Sequence, residues 1–195
     1  MALRCTELTG LLQELEELLD ELGTPFSSYA LPGIGDEQID RLLAPAGFVA
    51  PTELREWWRW HHGTRKDAQH PDAPSLGPGW WAPMAIPEAL ADRERWIEGA
   101  TSYDEGWLVG QWLPFAWGGG DHGRLIARLE DSTDDLVCVG WWNYAESYEA
   151  PSEGSLSDVI GVFLRVLREG QIFPVPGGGW DQGSRWQEFP GYVHL

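Results

Sequence analysis

The stretch Gly35–Gly63, GDEQIDRLLAPAGFVAPTELREWWRWHHG, decides how the rest of the chain is read. Ile39, Leu42 and Leu43 fall at helical spacing behind Asp36, a residue type that caps helices, and Pro45 with Gly47 ends that run. A second helix is predicted from Pro51. A proline in a first turn gives up only an N–H that has no intrahelical partner, and Thr52 or Ala50 stands where a cap belongs. Leu54, Trp57, Trp58 and His61 then recur at intervals of three and four as one bulky apolar face, and Gly63 closes the helix. The stretch predicts two short helices, a fixed elbow and a shared buried seam.

Working outward, the preceding residues 1–34 predict an N-terminal helix from about Glu7 to Leu22 and a connector. Leu8, Leu11, Leu12, Leu15, Leu18, Leu19 and Leu22 form its apolar stripe, Thr6 can cap it, and Gly23 with Pro25 stops it. Such a stripe fits a helix lying on its own core or a dimer seam. Glu14, Glu17 and Glu21 crowd the other face at three- and four-residue spacing, a repulsion that packing has to offset.

Downstream, Thr64–Pro83 carries four prolines and turns irregular, a surface excursion from which Trp80, Trp81 and Met84 must return to find burial. Pro87–Ile97 predicts a helix with Ala89 or Leu90 and Trp96 inward. The period then changes. Trp107–Val109, Trp112–Ala116, Arg124–Leu129 and Leu136–Trp141 are short apolar or alternating runs, read as consecutive antiparallel strands. Gly118–Asp121 and Asp131–Asp135 are their turns. A last helix starts at Ser155, where Ser155-x-x-Asp158 has the form of a capping box. Val159, Ile160, Phe163, Leu164 and Leu167 are its inner face, Arg165 and Arg168 complement its C-terminal dipole, and Gly170 stops it; it is expected to cover a face of the sheet. Residues 171–195 form a Gly- and aromatic-rich extension expected to pack back on the body, because Trp180, Trp186, Phe189 and Tyr192 do not suit disorder.

The chain has 195 residues, 43% hydrophobic and 23% charged, which suits one globular domain. No run approaches the roughly 20 apolar residues of a membrane helix, and the N-terminus lacks a cleavage pattern. Cys5 and Cys138 do not make a disulfide framework, so the expected compartment is the cytoplasm. Thirteen basic against 31 acidic residues leaves a formal charge of −18, a field that repels phosphate backbones and anionic lipid and attracts a basic protein. No direct nucleic-acid or membrane partner is expected.

Catalytic patterns are missing from the sequence. His61, His62 and His70 with Asp67 and Asp72 match no zinc spacing, and Asp121-His122 has no nucleophile in a recognisable elbow. Gly118–Gly120 and Gly177–Gly179 lack the Lys-Ser/Thr of a phosphate loop. The reading is a non-enzymatic chain with no cofactor, metal or catalytic residue. Its 13 tryptophans also admit a carbohydrate-binding protein or glycosidase as an alternative, although Trp57, Trp58, Trp107 and Trp112 occupy inward periodic positions.

The candidate working surface is Glu130–Asp158, a span without Lys or Arg. Glu130, Asp131, Asp134, Asp135, Glu146 and Glu149 stand there among Trp141, Trp142, Tyr144 and Tyr148, and Asp104 and Glu105 in a neighbouring loop widen the patch. Aromatic anchors ringed by one sign of charge are a common make-up of a protein-binding surface.

The order Ile39-x-x-Leu42, Gly47, Pro51, Trp57-Trp58, Gly63 resembles the opening signature of the SUKH superfamily, in which the pattern runs I-x-x-L-E, L-G, x-x-x-P-x-x-Y-x-x-L-L, N-G. Leu43 replaces the usual Glu, Leu54 the frequent Tyr and His62 the frequent Asn. The likeness continues through Trp112-Leu113-Pro114-Phe115 and the helix after Ser155, so it spans residues 35–170. It implies an α+β fold, a mixed or antiparallel sheet of about four to six strands with helices packed against it in a single domain. For function it implies an immunity protein that binds and neutralises a cognate bacterial toxin, in that family often a nuclease, with a regulatory or scaffolding module of the same fold as the alternative. The expected partner is basic, and the expected state is a monomer or weak dimer.

Overall fold

The elbow is two helices strapped together by ion pairs. In the computed structural model, which describes residues 7–24, 26–65, 82–100, 112–118, 123–129, 132–143, 148–149, 154–175 and 180–182, the first helix, α3, runs Asp36–Leu43 and the second, α4, Thr52–Trp60. A single 3₁₀ turn, Ala44–Ala46, follows α3, and Gly47 at φ 72° ends it in the left-handed region that glycine enters without a side-chain clash. Arg59 grips Asp36 with two hydrogen bonds of 2.9 and 3.0 Å, and Arg55 reaches Asp40 while donating to the Ala50 carbonyl at 3.0 Å. Asp36 is therefore not the cap. Gly35 holds that position without a side-chain bond, and Asp36 is the first helical residue, turned toward Arg59. Pro51, likewise, precedes α4 as its cap residue, and Thr52 is its first turn.

Before the elbow come α1 (Glu7–Glu21), α2 (Phe26–Tyr29) and β1 (Ala30–Pro32). Leu8, Leu12, Leu15 and Leu19 of α1 are at most 1% exposed, so this part of the leucine stripe is core, while Leu11, Leu18 and Leu22 are partly buried against it. Burying one such side chain is worth about 1.5–3 kcal/mol, which outweighs the few tenths lost per like-charged pair on the outer face. α4 stops two residues earlier than expected. His61–Thr64 is a strand, β2, antiparallel to β1, because the chain before α3 folds back to supply its hydrogen bonds. Gly63 sits in that strand at φ 97°, where a Cβ would stand 3.0 Å from the Ala85 Cβ and 3.1 Å from its nitrogen.

The main sheet is antiparallel in the order β3-β4-β5-β6-β7: β3 (Ala82–Pro83), β4 (Trp112–Gly118), β5 (Gly123–Arg128), β6 (Val139–Asn143) and β7 (Tyr148–Glu149). Helix α5 (Ile86–Ala100) follows β3, and α6 (Leu156–Arg168) follows β7. The Ser155 hydroxyl accepts from the Asp158 N–H while the Asp158 carboxylate accepts from the Ser155 N–H, the reciprocal cap that the sequence predicts, and Gly170 ends the helix at φ 60°. α6 runs along α1 and meets α4. A hairpin of β8 (Ile172–Pro174) and β9 (Trp180–Gln182) closes the described chain, with Ile172 in the core and Trp180 against it. The fold is α+β in one domain. Trp107–Val109 and Trp81 lie outside the described residues, whereas Met84 and Trp112 are buried.

One continuous core joins the helices to one side of the sheet. Leu113, Phe115, Ala116, Leu125, Ala127 and Val139 meet Leu54, Trp57, Trp58 and the α1 and α6 stripes there. Trp57 and Trp58 are wholly buried, and each indole N–H finds a main-chain acceptor: Trp57 donates to the Phe115 carbonyl at 3.2 Å, Trp58 to that of Met84 at 3.1 Å. These bonds fix α4 across β4, since a buried indole without an acceptor would be penalised.

Candidate functional site

Three buried carboxylates determine how the candidate surface is held. Glu53, on α4, is 0% exposed and accepts from the N–H groups of Val137 (2.8 Å), Leu156 (3.2 Å) and Ser157 (3.0 Å), and also from the Ser157 hydroxyl. It thus ties α4 to the loop before β6 and to the first turn of α6, where the helix dipole favours a negative charge. One turn on, Glu56 is 3% exposed and accepts from the Thr9 N–H at 3.1 Å, in the first turn of α1. Asp92 on α5, 1% exposed, takes Arg124 of β5 at 2.8 Å, Arg95 at 2.9 Å and the Trp96 indole at 3.0 Å. Arg124 is itself 6% exposed, and its guanidinium lies 4.1 Å from the Trp117 ring centroid.

The loop of residues 132–138 is knitted to the head of α4. The N–H groups of Thr52 and Glu53, unpaired within their helix, donate to the main-chain carbonyls of Asp134 and Asp135, each at 3.0 Å. Within the loop, Ser132 donates to the Arg128 carbonyl at 2.7 Å and accepts from Cys138 N–H at 2.9 Å, while Thr133 exchanges bonds with Leu136. Leu136 is accordingly loop rather than the start of a strand, because its backbone is spent inside this turn, and β6 begins at Val139.

The backbone of Asp134 and Asp135 is thus structural while their side chains are exposed. Beside them stand two of the four exposed large apolar residues among the described ones: Leu136, 48% exposed, follows Asp135, and Val49, 78% exposed, lies on the elbow loop that leads into Thr52. The head of α4 therefore presents two acids followed directly by an exposed leucine, with Val49 exposed on the loop that enters the helix. The sequence reveals neither exposure: Val49 is a lone apolar residue in a loop with no period, and Leu136 reads as the first residue of a strand run.

Of the other expected surface residues, Trp141, Trp142, Tyr148 and Glu149 are placed by backbone register. Trp142 stands opposite Arg124 on one side and Glu149 on the other; Trp141 pairs with Leu125, and Tyr148 with Asn143. Arg124, locked by Asp92, thereby fixes the strand beside which Trp142 lies. Asp104, Glu105, Glu130, Asp131, Tyr144 and Glu146 lie outside the described residues, as do Asp121, His122, His70, Asp67 and Asp72. Among the described residues, no three His, Cys, Asp or Glu side chains converge as metal ligands, and no helix is long and apolar enough to cross a membrane.

His61 and His62 do separate work. The His61 ring packs on Trp60 and Phe26, and its Nδ1 lies 3.0 Å from the Leu31 carbonyl. Nε2 of His62 accepts from the Ile86 N–H at 3.0 Å, and burial pushes its pKa below the ordinary 6.5. Neither a protein-family model nor a curated protein matches the chain.

Proposed function

We propose that the chain is a non-enzymatic protein-binding module of the SUKH kind, an immunity protein that binds a basic cognate toxin in the cytoplasm and neutralises it. The observation that carries this reading is the head of α4, where exposed Asp134 and Asp135 stand beside exposed Leu136 on a backbone bonded to the helix. A rigid, acidic and partly apolar projection on a chain of net charge −18 suits a surface whose acids steer encounter and whose apolar groups hold the complex. The Trp142 and Glu149 register positions extend the same span toward the sheet edge. The SUKH reading itself rests on the sequence order Ile39-x-x-Leu42, Gly47, Pro51, Trp57-Trp58, Gly63.

The test is a pull-down of the tagged protein from its host at low and high salt, followed by association kinetics with the captured protein. The double variant Asp134→Lys/Asp135→Lys should fold with a melting temperature lowered by only a few degrees: the carbonyls that cap α4 belong to the backbone, and what is lost is one exposed bond from the Thr52 hydroxyl to the Asp135 carboxylate, 3.3 Å, and favourable charge at the helix N-terminus. Its association should slow by about tenfold or more at low salt and approach wild type at high salt. A captured partner that is not basic, or rates unchanged in the variant, would remove the head of α4 from the binding surface. A captured cell-wall or housekeeping protein, with no toxin among the partners, would favour the regulatory module.

A further inference from the structure

We propose that His62 is an acid-sensitive latch on helix α5, holding the start of that helix against β2 while its imidazole is neutral and letting go when it is protonated. The bond that makes the latch is Ile86 N–H to His62 Nε2, 3.0 Å. Ile86 is the first residue of α5, so this N–H has no partner within its own helix, and His62 supplies the missing acceptor from a different element. An imidazole nitrogen accepts only through its lone pair. With Nε2 accepting, the ring proton sits on Nδ1, and protonation of Nε2 removes the acceptor altogether. It also sets a positive charge at the positive end of the helix dipole.

The surroundings leave the ring little alternative. Gly63, next in the strand, has its Cα so near Ala85 that no Cβ fits without displacement, which brings β2 and the start of α5 within contact. Among the described residues, β1 and β3, which flank β2, carry no titratable side chain. α4 brings Arg59, which is engaged by Asp36, and α1 brings Glu16, which lies 3.6 Å from the Nε2 of His61 on the same strand. α5 itself brings Glu88, whose carboxylate accepts from the Ala85 N–H at 3.4 Å, and Arg65 follows the strand. Burial is the cause that lowers the pKa of His62, in the same direction as the lost hydrogen bond.

The sign follows from linkage. The unfolded or undocked histidine binds a proton more readily than the docked one, so docking is complete above about pH 6.5 and weakens as the pH falls toward the depressed docked value. Each pH unit in that window changes the docking equilibrium by up to about tenfold. What loosens is the segment from β3 into α5. It includes Met84, whose N–H donates to the Phe115 carbonyl and whose carbonyl accepts from Trp58, so the edge of the main sheet is involved.

The experiment follows hydrogen-exchange protection of the Ile86 amide and the first turn of α5 between pH 7.5 and 5, corrected for the intrinsic pH dependence of exchange. Wild type should lose protection below about pH 6.5, by up to about tenfold per unit, while amides in α6 keep theirs. His62→Gln, whose side-chain oxygen can reach the place of Nε2 without titrating, should hold protection level. Glu88→Gln should still show the loss. A level wild-type profile, or a loss abolished by Glu88→Gln and not by His62→Gln, would overturn the proposal. Should His62→Gln fail to fold, ¹⁵N chemical shifts of the wild-type imidazole decide. The latch requires an Nδ1–H tautomer at neutral pH that titrates together with the Ile86 amide, and an Nε2–H tautomer refutes it.

Discussion

Replacing Glu53 by Gln keeps the shape of a wholly buried side chain and changes only what its two terminal atoms can accept. If the new NH₂ faces Val137 and Leu156, two N–H donors at 2.8 and 3.2 Å lose their acceptor at once. If it faces Ser157 instead, the hydroxyl can rotate to accept, and only the Ser157 N–H, at 3.0 Å, is orphaned. The second arrangement is cheaper. One buried unpaired N–H costs about 1–3 kcal/mol, and the remaining bonds fall from charge-assisted to neutral strength, so the total is about 2–4 kcal/mol. For a domain of this size that lowers Tm by about 5–15 °C in a thermal scan at pH 7. Glu37→Gln, an exposed change in the first turn of α3, should stay within about 0.5 kcal/mol of wild type. If Glu53→Gln melts within about 2 °C of wild type, the carboxylate is not the joint between α4, the loop and α6, and the account of the head of α4 falls with it.

Other perturbations separate the remaining parts of the fold. Asp92→Ala leaves Arg124 buried without its anion and should cost about 3–5 kcal/mol by urea unfolding, whereas Asp92→Leu with Arg124→Met should recover most of it; additivity in that cycle would deny the coupling. Gly63→Ala should destabilise by about 1–3 kcal/mol through its positive φ and the approach of Ala85. Gly10→Ala and Gly161→Ala, on open helix surface, should each stabilise by up to about 1 kcal/mol, and equal effects at the three glycines in melting scans would be wrong for this structure. Ser155→Ala breaks the reciprocal cap of α6 and should cost about 1 kcal/mol.

What was legible in the sequence is what local spacing encodes. The α1 leucines, the Leu54, Trp57 and Trp58 face and the Ser155–Asp158 cap involve residues within a turn or two of each other, and the structure has them as read. His61 and His62 continue the helical spacing in the sequence but begin strand β2, because their strand partner, β1, lies some 30 residues earlier, and periodicity cannot register a distant backbone. The same limit hid Glu53, Glu56 and Asp92. Acids on a helix read as its wet face, and only their partners in α6, α1 and β5 make burial tolerable. At the candidate surface, the acidity of Asp134 and Asp135 was plain, but their carbonyl bonds to α4 and the exposure of Val49 and Leu136 come from tertiary contacts alone.

The partners of Glu53 lie 84, 103 and 104 positions further along the chain. During synthesis, the elbow therefore emerges long before the groups that let this carboxylate leave water. A nascent chain that has reached only β5 has an α4 with two tryptophans to bury and an acid whose partners are still to come, so docking of the helix is expected to wait for them. Docking becomes favourable once Ser157 arrives, and β6 and the start of α6 then join in the same step. A buried acid at the joint of three elements would thus act as a timer, delaying docking until the pieces it must join are present, with slower folding through contacts distant in sequence as the consequence.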